Sequence, residues 1–215
     1  MKLLLVLLLT ISTAYAVTYV PETAVKDDNH FAYSATLAQD ISMAMKIPNE
    51  DGYSMRIEMA DGTPAAFDIA AASNHIIFAY NKFYKESHGL VTGASVAITT
   101  TGALPTGLAG AGYFVSKIDD DFFYIMDTRA KAIAATPAQV ITDQGSGIHT
   151  FTPSSFAGTV ALQYSLNASD WIDIANYSTT GTNLIEDDDF NANWLRLAIQ
   201  ATSGQLYIKS DLNAK

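Results

Sequence analysis

A run of short strand-like segments separated by glycine turns, between His88 and His149, is the feature that most constrains the fold of this chain. Glycine adopts the positive φ angles that tight turns need. Four glycines recur there at short intervals: Gly89, Gly93, Gly102 and Gly107. The segments between the turns are rich in aromatic and β-branched residues, which favour pleated sheets: residues 95–99, 113–118 and 122–126. Because no long stretch shows the period of an amphipathic helix, the chain is predicted to be all-β.

Residues 66–152 are predicted to form one small β-barrel-like module. The acidic residues 119–121 are expected to form a turn between two strands. Residues 128–135 are alanine-rich and Pro137 follows them, which predicts one short helix. Residues 140–142 and 148–151 are expected to be closing strands, and residues 67–84 a strand that leads into the module.

Two segments before the module alternate apolar with small or polar residues. Residues 41–47 and 53–59 flank a Pro/Asn/Gly turn, which predicts a β-hairpin with one buried face. Four methionines line that apolar face: Met43, Met45, Met55 and Met59. They either fill the core or form an adaptable contact surface for a partner subunit.

The segment after the module has the same alternation. Residues 159–165, 171–174, 194–199 and 205–209 are predicted strands, with a hairpin turn at residues 201–204. Trp171 is expected to anchor the core, whereas Trp194 and Arg196 are candidate partner or sugar contacts. Residues 1–65 and 153–215 are predicted to form one β-sandwich or jelly-roll-like domain, into which residues 66–152 are inserted. The alternative is three small β units in a row.

The order of the motifs resembles a module repeated across tailed-bacteriophage structural proteins. Its pattern HGL-x-TG-x-x-V begins at His88, and TTG-x-LP-x-GL begins at Thr100. A Y-x-V-x-x-ID hairpin begins at Tyr113, and the closing GxGxHT begins at Gly145. The helix departs from the pattern, since Arg129 stands where the module has leucine in LA-x-A.

The segment after residue 153 is similar to the sandwich of phage and carbohydrate-binding-type proteins. Its S-x-N/D-x-x-x-W-x-x-I pattern runs from Ser165 to Ile174, and a W-x-R strand begins at Trp194. The two resemblances imply a non-enzymatic virion protein, such as a capsid decoration, head-fibre, neck or tail component. They also imply other virion proteins as partners, and we expect a homo-oligomer because exposed strand edges need covering.

Composition excludes several classes of function. The formal net charge is −10 with an isoelectric point of about 4.6, which argues against sequence-independent binding of nucleic acid. The chain has no cysteine, so it has neither a disulfide framework nor a thiolate metal site. We predict no cofactor, and no membrane contact in the mature assembly.

The residues that usually carry catalysis are not arranged for it. No histidine lies in a metal-binding motif, and His88 and His149 are expected to lie near each other and to be hydrogen-bonded in turns or core. The acidic runs at residues 119–121 and 186–189 lack the alternating spacing of a calcium loop, and solvated turns are the favoured interpretation. Because a G-x-S-x-G elbow and a phosphate-binding loop are also missing, the chain is predicted not to be an enzyme.

The first sixteen residues permit two interpretations. Lys2, the apolar residues 3–9 and the small-x-small end at Ala14 to Ala16 match a secretory signal, which predicts a mature start at Val17. A buried leucine-rich strand fits the same residues, and the phage resemblance favours it. The predicted location is therefore the virion. With a cleaved signal, the alternative is a secreted or periplasmic β-sandwich that binds glycan.

Overall fold

The structure is a computed structural model that describes residues 25–27, 30–38, 41–46, 53–109, 112–177, 181–187 and 194–214. Its strands pair antiparallel throughout and form three sheets. In the described residues, helix is limited to α1 (Arg129–Ile133) and two 3₁₀ turns (Ala71–Ser73 and Phe78–Tyr80). The predicted all-β class is confirmed. Residues 1–16 lie outside the described residues, so the choice between signal and strand stays a prediction.

Two of the sheets pack face to face as a sandwich. The five-stranded sheet has the order β1 (Val25–Asp27), β2 (His30–Leu37), β16 (Leu206–Ala214), β4 (Tyr53–Asp61), β14 (Gly181–Asp187). The four-stranded sheet has the order β13 (Ile172–Tyr177), β12 (Ala157–Ser165), β15 (Trp194–Ser203), β3 (Ile41–Lys46). Alternate residues of both sheets form one core, in which Met55 and Ile208 of the first meet Leu162 and Leu197 of the second. Two sheets that pack face to face need an apolar inner face on each, and the alternation of buried and exposed residues in both sheets provides it.

Both hairpins predicted for the sandwich are wrong. Strand β3 pairs with β15 in the four-stranded sheet, whereas β4 pairs with β14 and β16 in the other. Likewise β15 and β16 belong to different sheets, and the chain crosses between them at Gly204 and Gln205. Period-two alternation shows that one face of a strand is buried, but it does not show whether the next strand lies beside it or opposite it.

The third sheet has seven strands and curls around a core of its own. Its order is β5 (Phe67–Ala70), β11 (Ile148–Pro153), β8 (Ser95–Thr100), β9 (Gly112–Lys117), β10 (Phe122–Met126), β7 (Lys82–Tyr84), β6 (Ile76–Ile77). Ile69 of β5 and Ile76 of β6 come from opposite edges of the sheet, yet both lie in the same buried cluster. The sheet is therefore a nearly closed barrel.

Aromatic rings fill the centre of this barrel. Phe83, Phe123 and Phe151 are fully buried, and their ring centroids lie 5.4–5.7 Å apart. Phe67 stacks on Phe151 at 5.4 Å. Aromatic pairs at such distances add about 0.5–1.5 kcal/mol each beyond the burial of their area. A small barrel of short strands thereby obtains a well-specified core.

Several predicted elements of the barrel are present. Residues 119–121 form the turn between β9 and β10, where Asp119 Oδ1 accepts hydrogen bonds from the backbone N–H groups of Asp121 and Phe122. The predicted helix is α1, and Thr128 caps it by accepting from Lys131 N at 3.3 Å. Of the four glycines expected at positive φ, Gly102 is the exception. It is required because a Cβ there would lie 2.5 Å from Ser146 O.

Two other predicted strands differ. Residues 67–84 are not one strand but β5, β6 and β7, separated by the 3₁₀ turns that end at Asn74 and Asn81 with positive φ. Residues 140–142 are irregular, because the N–H of Ile141 donates to the Asn81 side chain and that of Thr142 to Thr106 O. Side-chain partners and loop carbonyls thus replace a sheet ladder at these residues.

The barrel and the sandwich are joined by partly buried hydrogen bonds around Gln205. Its Nε2 donates to Gly62 O at 2.6 Å and to Gly89 O at 2.9 Å, and its Oε1 accepts from Val91 N at 3.1 Å. The Gln205 side chain is itself buried. Gln205, which immediately precedes β16, is therefore hydrogen-bonded both to Gly62, before β5, and to the loop between β7 and β8.

A second junction lies at the carbonyl of Ala38, which follows β2. Arg129 donates to this oxygen from Nε at 2.9 Å and Nη2 at 2.6 Å. A Cβ on Gly93 would approach the same oxygen to 2.5 Å. The arginine that departs from the phage pattern thus ties α1 to the sandwich. The predicted domain boundaries, 1–65, 66–152 and 153–215, concern independent folding and stay a prediction.

Candidate functional site

Two of the residues predicted as partner contacts, Trp194 and Arg196, lie on the outer face of the four-stranded sheet. In β15, Leu195, Leu197 and Ile199 are buried in the core. Because side chains alternate along a strand, Trp194 and Arg196 point to the opposite face, where both are partly exposed. The alternation of one strand therefore positions these two candidates on the same surface.

Strand register extends this surface into a row of polar side chains. Gln163 of β12 lies opposite Arg196 on one side and opposite Asp173 of β13 on the other. The Arg196 Nε donates to Gln163 Oε1 at 2.6 Å, and Gln163 Nε2 donates to Asp173 Oδ1 at 2.5 Å. Asn176 Nδ2 donates to the second oxygen of Asp173 at 3.2 Å. The row is a continuous hydrogen-bonded ladder across three strands.

Trp171, immediately before β13, completes the cluster. The guanidinium carbon of Arg196 lies 4.2 Å from the centroid of its ring, a cation–π stack. Trp171 is half-buried and belongs to neither core cluster. The prediction that it anchors the core is therefore wrong. Its ring packs on the guanidinium of an outward-facing arginine rather than between the sheets.

The environment lowers the pKa values of the two charged groups in this ladder, Asp173 and Arg196. The Gln163 amide and then the Asn176 amide hold the pKa of Asp173 below its ordinary value, because both donate to the ionised carboxylate. Burial lowers the pKa of Arg196, and the charge of Asp173 opposes this change. Asp173 is therefore ionised near neutral pH. The pair gives the ladder one positive and one negative end.

A row of small residues continues the same face beyond the ladder. Ala161 of β12 lies opposite Asn176 on one side and opposite Ala198 of β15 on the other. Ala198 in turn pairs with Ser42 of β3. Because alanine side chains project little above a sheet, the face is low along this row and higher at Trp171 and Arg196.

The methionines of the predicted contact surface fall in two groups. Met55 and Met59 are 0% and 4% exposed and lie in the sandwich core, so a partner would reach them only if the sheets separated. Met43 and Met45 lie in β3, but their side chains are outside the described part of the structure. A contact role for Met43, Met45, Met55, Met59, Trp194 and Arg196 stays a prediction.

The barrel has an aromatic face that sequence analysis missed. The Lys82 Nζ lies 4.3 Å from the ring centroid of Phe122 and 5.7 Å from that of Tyr80. Tyr84 packs between Phe122 and His75, with ring centroids 5.1 and 4.8 Å away. The alternation of β7 and β10 contained the signal, because Lys82, Tyr84 and Phe122 all flank buried phenylalanines.

His88 and His149 are part of the barrel structure. His88 is buried, its Nδ1 accepts from Leu90 N at 3.0 Å, and its Nε2 contacts Asp119 O at 3.1 Å. Burial lowers the pKa of His88 and so favours its neutral form. His149 is also buried, and its Nε2 contacts Gln144 O at 3.0 Å. Within the described residues, no three acidic, histidine or cysteine side chains converge as a metal site.

Comparisons with known proteins identify no family for this chain. No family model matches it, and no curated protein matches it. A solved structure, the VP16-VP17 complex of the two major capsid proteins of bacteriophage P23-77, aligns with 86% of this chain and 99% of that chain. The TM-score is 0.24 and the sequence identity 11%, values too low to carry an argument. In the described residues no helix is long and apolar enough to cross a membrane.

Proposed function

We propose that this chain is a non-enzymatic structural protein of a tailed-phage virion, in the class of capsid decoration, head-fibre, neck or tail components. Its partners in this proposal are other virion proteins and further copies of itself. The observation that carries the proposal is the ordered set of phage-module motifs between residues 88 and 150.

The fixed positions of those motifs have physical roles in the barrel, which supports the resemblance. In HGL, His88 accepts from the N–H of Leu90, and Gly89 between them has φ +67°. In GxGxHT, Gly145 and Gly147 have φ of +66° and +81°. His149 of the same motif is buried. The pattern therefore encodes the turns and the core of the barrel rather than a catalytic group.

Two sheet edges support a role in assembly. Among the described strands, β13 and β14 each pair on one side only, and three residues separate them in the chain. They expose large apolar side chains: Ile172 is 55% exposed and Leu184 67%. An exposed apolar strand edge is a template for pairing with another chain, and stable proteins cover it. We propose that a neighbouring subunit covers these edges in the virion.

The test is the composition of purified particles. Tailed-phage particles from lysed cultures of the source organism are banded by density and digested for mass spectrometry. The proposal expects peptides of this chain to co-purify with the particles, with residues 1–16 retained. A chain that is missing from particles, or that begins at Val17 in the periplasm or medium, overturns it and favours the exported alternative.

The edge contact has its own test. Native mass spectrometry of the purified chain is expected to show oligomers, and the double variant Ile172→Lys/Leu184→Lys is expected to shift them to monomer. Ile118→Lys is the matched control, because Ile118 is also exposed but lies in the barrel beyond β9. An oligomer that persists in the double variant contradicts the assignment of the interface to these edges.

A further inference from the structure

We propose that the outer face of the four-stranded sheet binds a neutral oligosaccharide, with Trp171, Arg196 and Gln163 as its principal contacts. The virion proposal concerns assembly and does not require this site. The glycan site does not depend on the virion proposal either, so each can fail without the other.

The chemistry of the cluster matches a sugar ring. A pyranose has apolar C–H faces and a rim of hydroxyl groups, so aromatic rings and planar hydrogen-bonding groups recognise it together. The half-buried Trp171 supplies the ring. Gln163, Asp173 and Asn176 supply amide and carboxylate groups in one row along the sheet. Ladders of this kind hold their side chains in one geometry before a ligand arrives, which lowers the entropic cost of binding.

Arg196 retains hydrogen-bonding capacity. Within the described residues, its Nε is bonded to Gln163, and its two Nη groups have no hydrogen bond. The stack on Trp171 fixes the plane of the guanidinium, so these N–H donors have a defined direction. Such a fixed fork suits a pair of adjacent hydroxyl oxygens.

The charges around the site favour a neutral ligand. The positive charge of Arg196 is opposed by Asp173 in the ladder, and Asp170 lies at the turn immediately before Trp171. The whole chain carries a formal charge of −10. Lys46 of β3 pairs in register with Trp194, but this one cation does not offset the net negative charge of the chain, which repels sulfated or uronic-acid glycans. Neutral hydroxyl groups carry no such penalty.

The shape of the face favours a chain of sugars over a single one. The low row of Ala161 and Ala198 runs beside the ladder and leads across the sheet towards Ser42. A ligand that packs against Trp171, Arg196 and Gln163 can therefore extend over this next row, where β12 and β15 contribute only alanine side chains.

The experiment uses the full chain and an array of neutral and acidic oligosaccharides of several residues, followed by fluorescence titration with each binder. The chain has two tryptophans, Trp171 and Trp194, and both lie on this face, so their emission reports binding directly. We expect neutral oligosaccharides to bind and to shift this emission. Silence of the whole array, or binding of acidic members only, overturns the proposal.

Variants assign the site. Trp171→Ala and Arg196→Met are each expected to weaken binding about tenfold or more. Tyr80→Ala is the control, because Tyr80 is an exposed aromatic residue of the barrel. Arg196→Met retains the length of the side chain and serves if Trp171→Ala does not fold. Glycan binding that survives unchanged in Arg196→Met, or that is lost in Tyr80→Ala, overturns the assignment.

Discussion

Replacing Gln205 by leucine is expected to destabilise the protein by about 2–4 kcal/mol. The change keeps the side-chain volume similar but removes an acceptor for Val91 N and donors to Gly62 O and Gly89 O. Gly89 is exposed, so its carbonyl can regain a water partner. The other two groups are partly buried, and each costs about 1–3 kcal/mol when left unpaired. The apolar surface of leucine offsets part of that sum.

Urea unfolding followed by tryptophan emission measures this loss, and the midpoint should fall without a large change in slope. Gln139→Leu is the matched control. Gln139 makes one side-chain hydrogen bond, to Gly107 O at 2.9 Å, in an exposed setting, so its replacement should cost no more than about 0.5 kcal/mol. Gln205→Glu should lose at least as much as Gln205→Leu, because a carboxylate would face two carbonyl oxygens. A Gln205→Leu protein within about 0.5 kcal/mol of the wild type refutes the reasoning.

Three further predictions concern the barrel. Gly107→Ala should cost about 2–4 kcal/mol in a thermal melt, because the φ of Gly107 is +105° and a Cβ there would overlap Val140 O. Gly112→Ala is the control and should be nearly neutral, since a Cβ there has room. Equal costs for the two variants would contradict this prediction. The free energy of unfolding of the wild type should fall as the pH drops below about 6.5, the ordinary pKa of a histidine in the unfolded chain. The reason is that the unfolded chain then binds a proton that folded His88, with its lowered pKa, does not bind. The loss is at most about 1.4 kcal/mol per pH unit, and an unchanged pH slope in His88→Asn would refute it. Residues 66–152 expressed alone should fold, because every member of the barrel core lies within them, and an NMR spectrum without dispersed amide signals would contradict this domain proposal.

The local elements of the barrel follow from the sequence because their causes are local. A glycine that must adopt positive φ, an aspartate that bonds the N–H groups two and three residues on, and a threonine that caps a helix act within a few residues. Strands β8, β9 and β10 and helix α1 were predicted from such signals. The strand predicted at residues 140–142 failed because its partner groups, on Asn81 and Thr106, are distant in sequence.

The outer-face cluster shows what sequence patterns contain and what they omit. Alternation places Trp194 and Arg196 on one side of β15, and that much was predicted. The stack of Arg196 on Trp171 depends on the register of β15 with β12 and of β12 with β13, including a register shift after Leu162. Register is decided by the packing of whole strands, so Trp171 was wrongly expected in the core.

The amino-acid sequence alone predicted that the chain is all-β, which residues face inward along strands such as β4, and where the tight turns of the barrel lie. These properties depend on side-chain period and on backbone angles, which are encoded residue by residue. Tertiary packing places β3 and β4, and likewise β15 and β16, in opposite sheets, and it brings Gln205 and Arg129 to the contacts that join the barrel to the sandwich. Those choices come from how two apolar faces bury each other, a property of the assembled sheets that no single segment encodes.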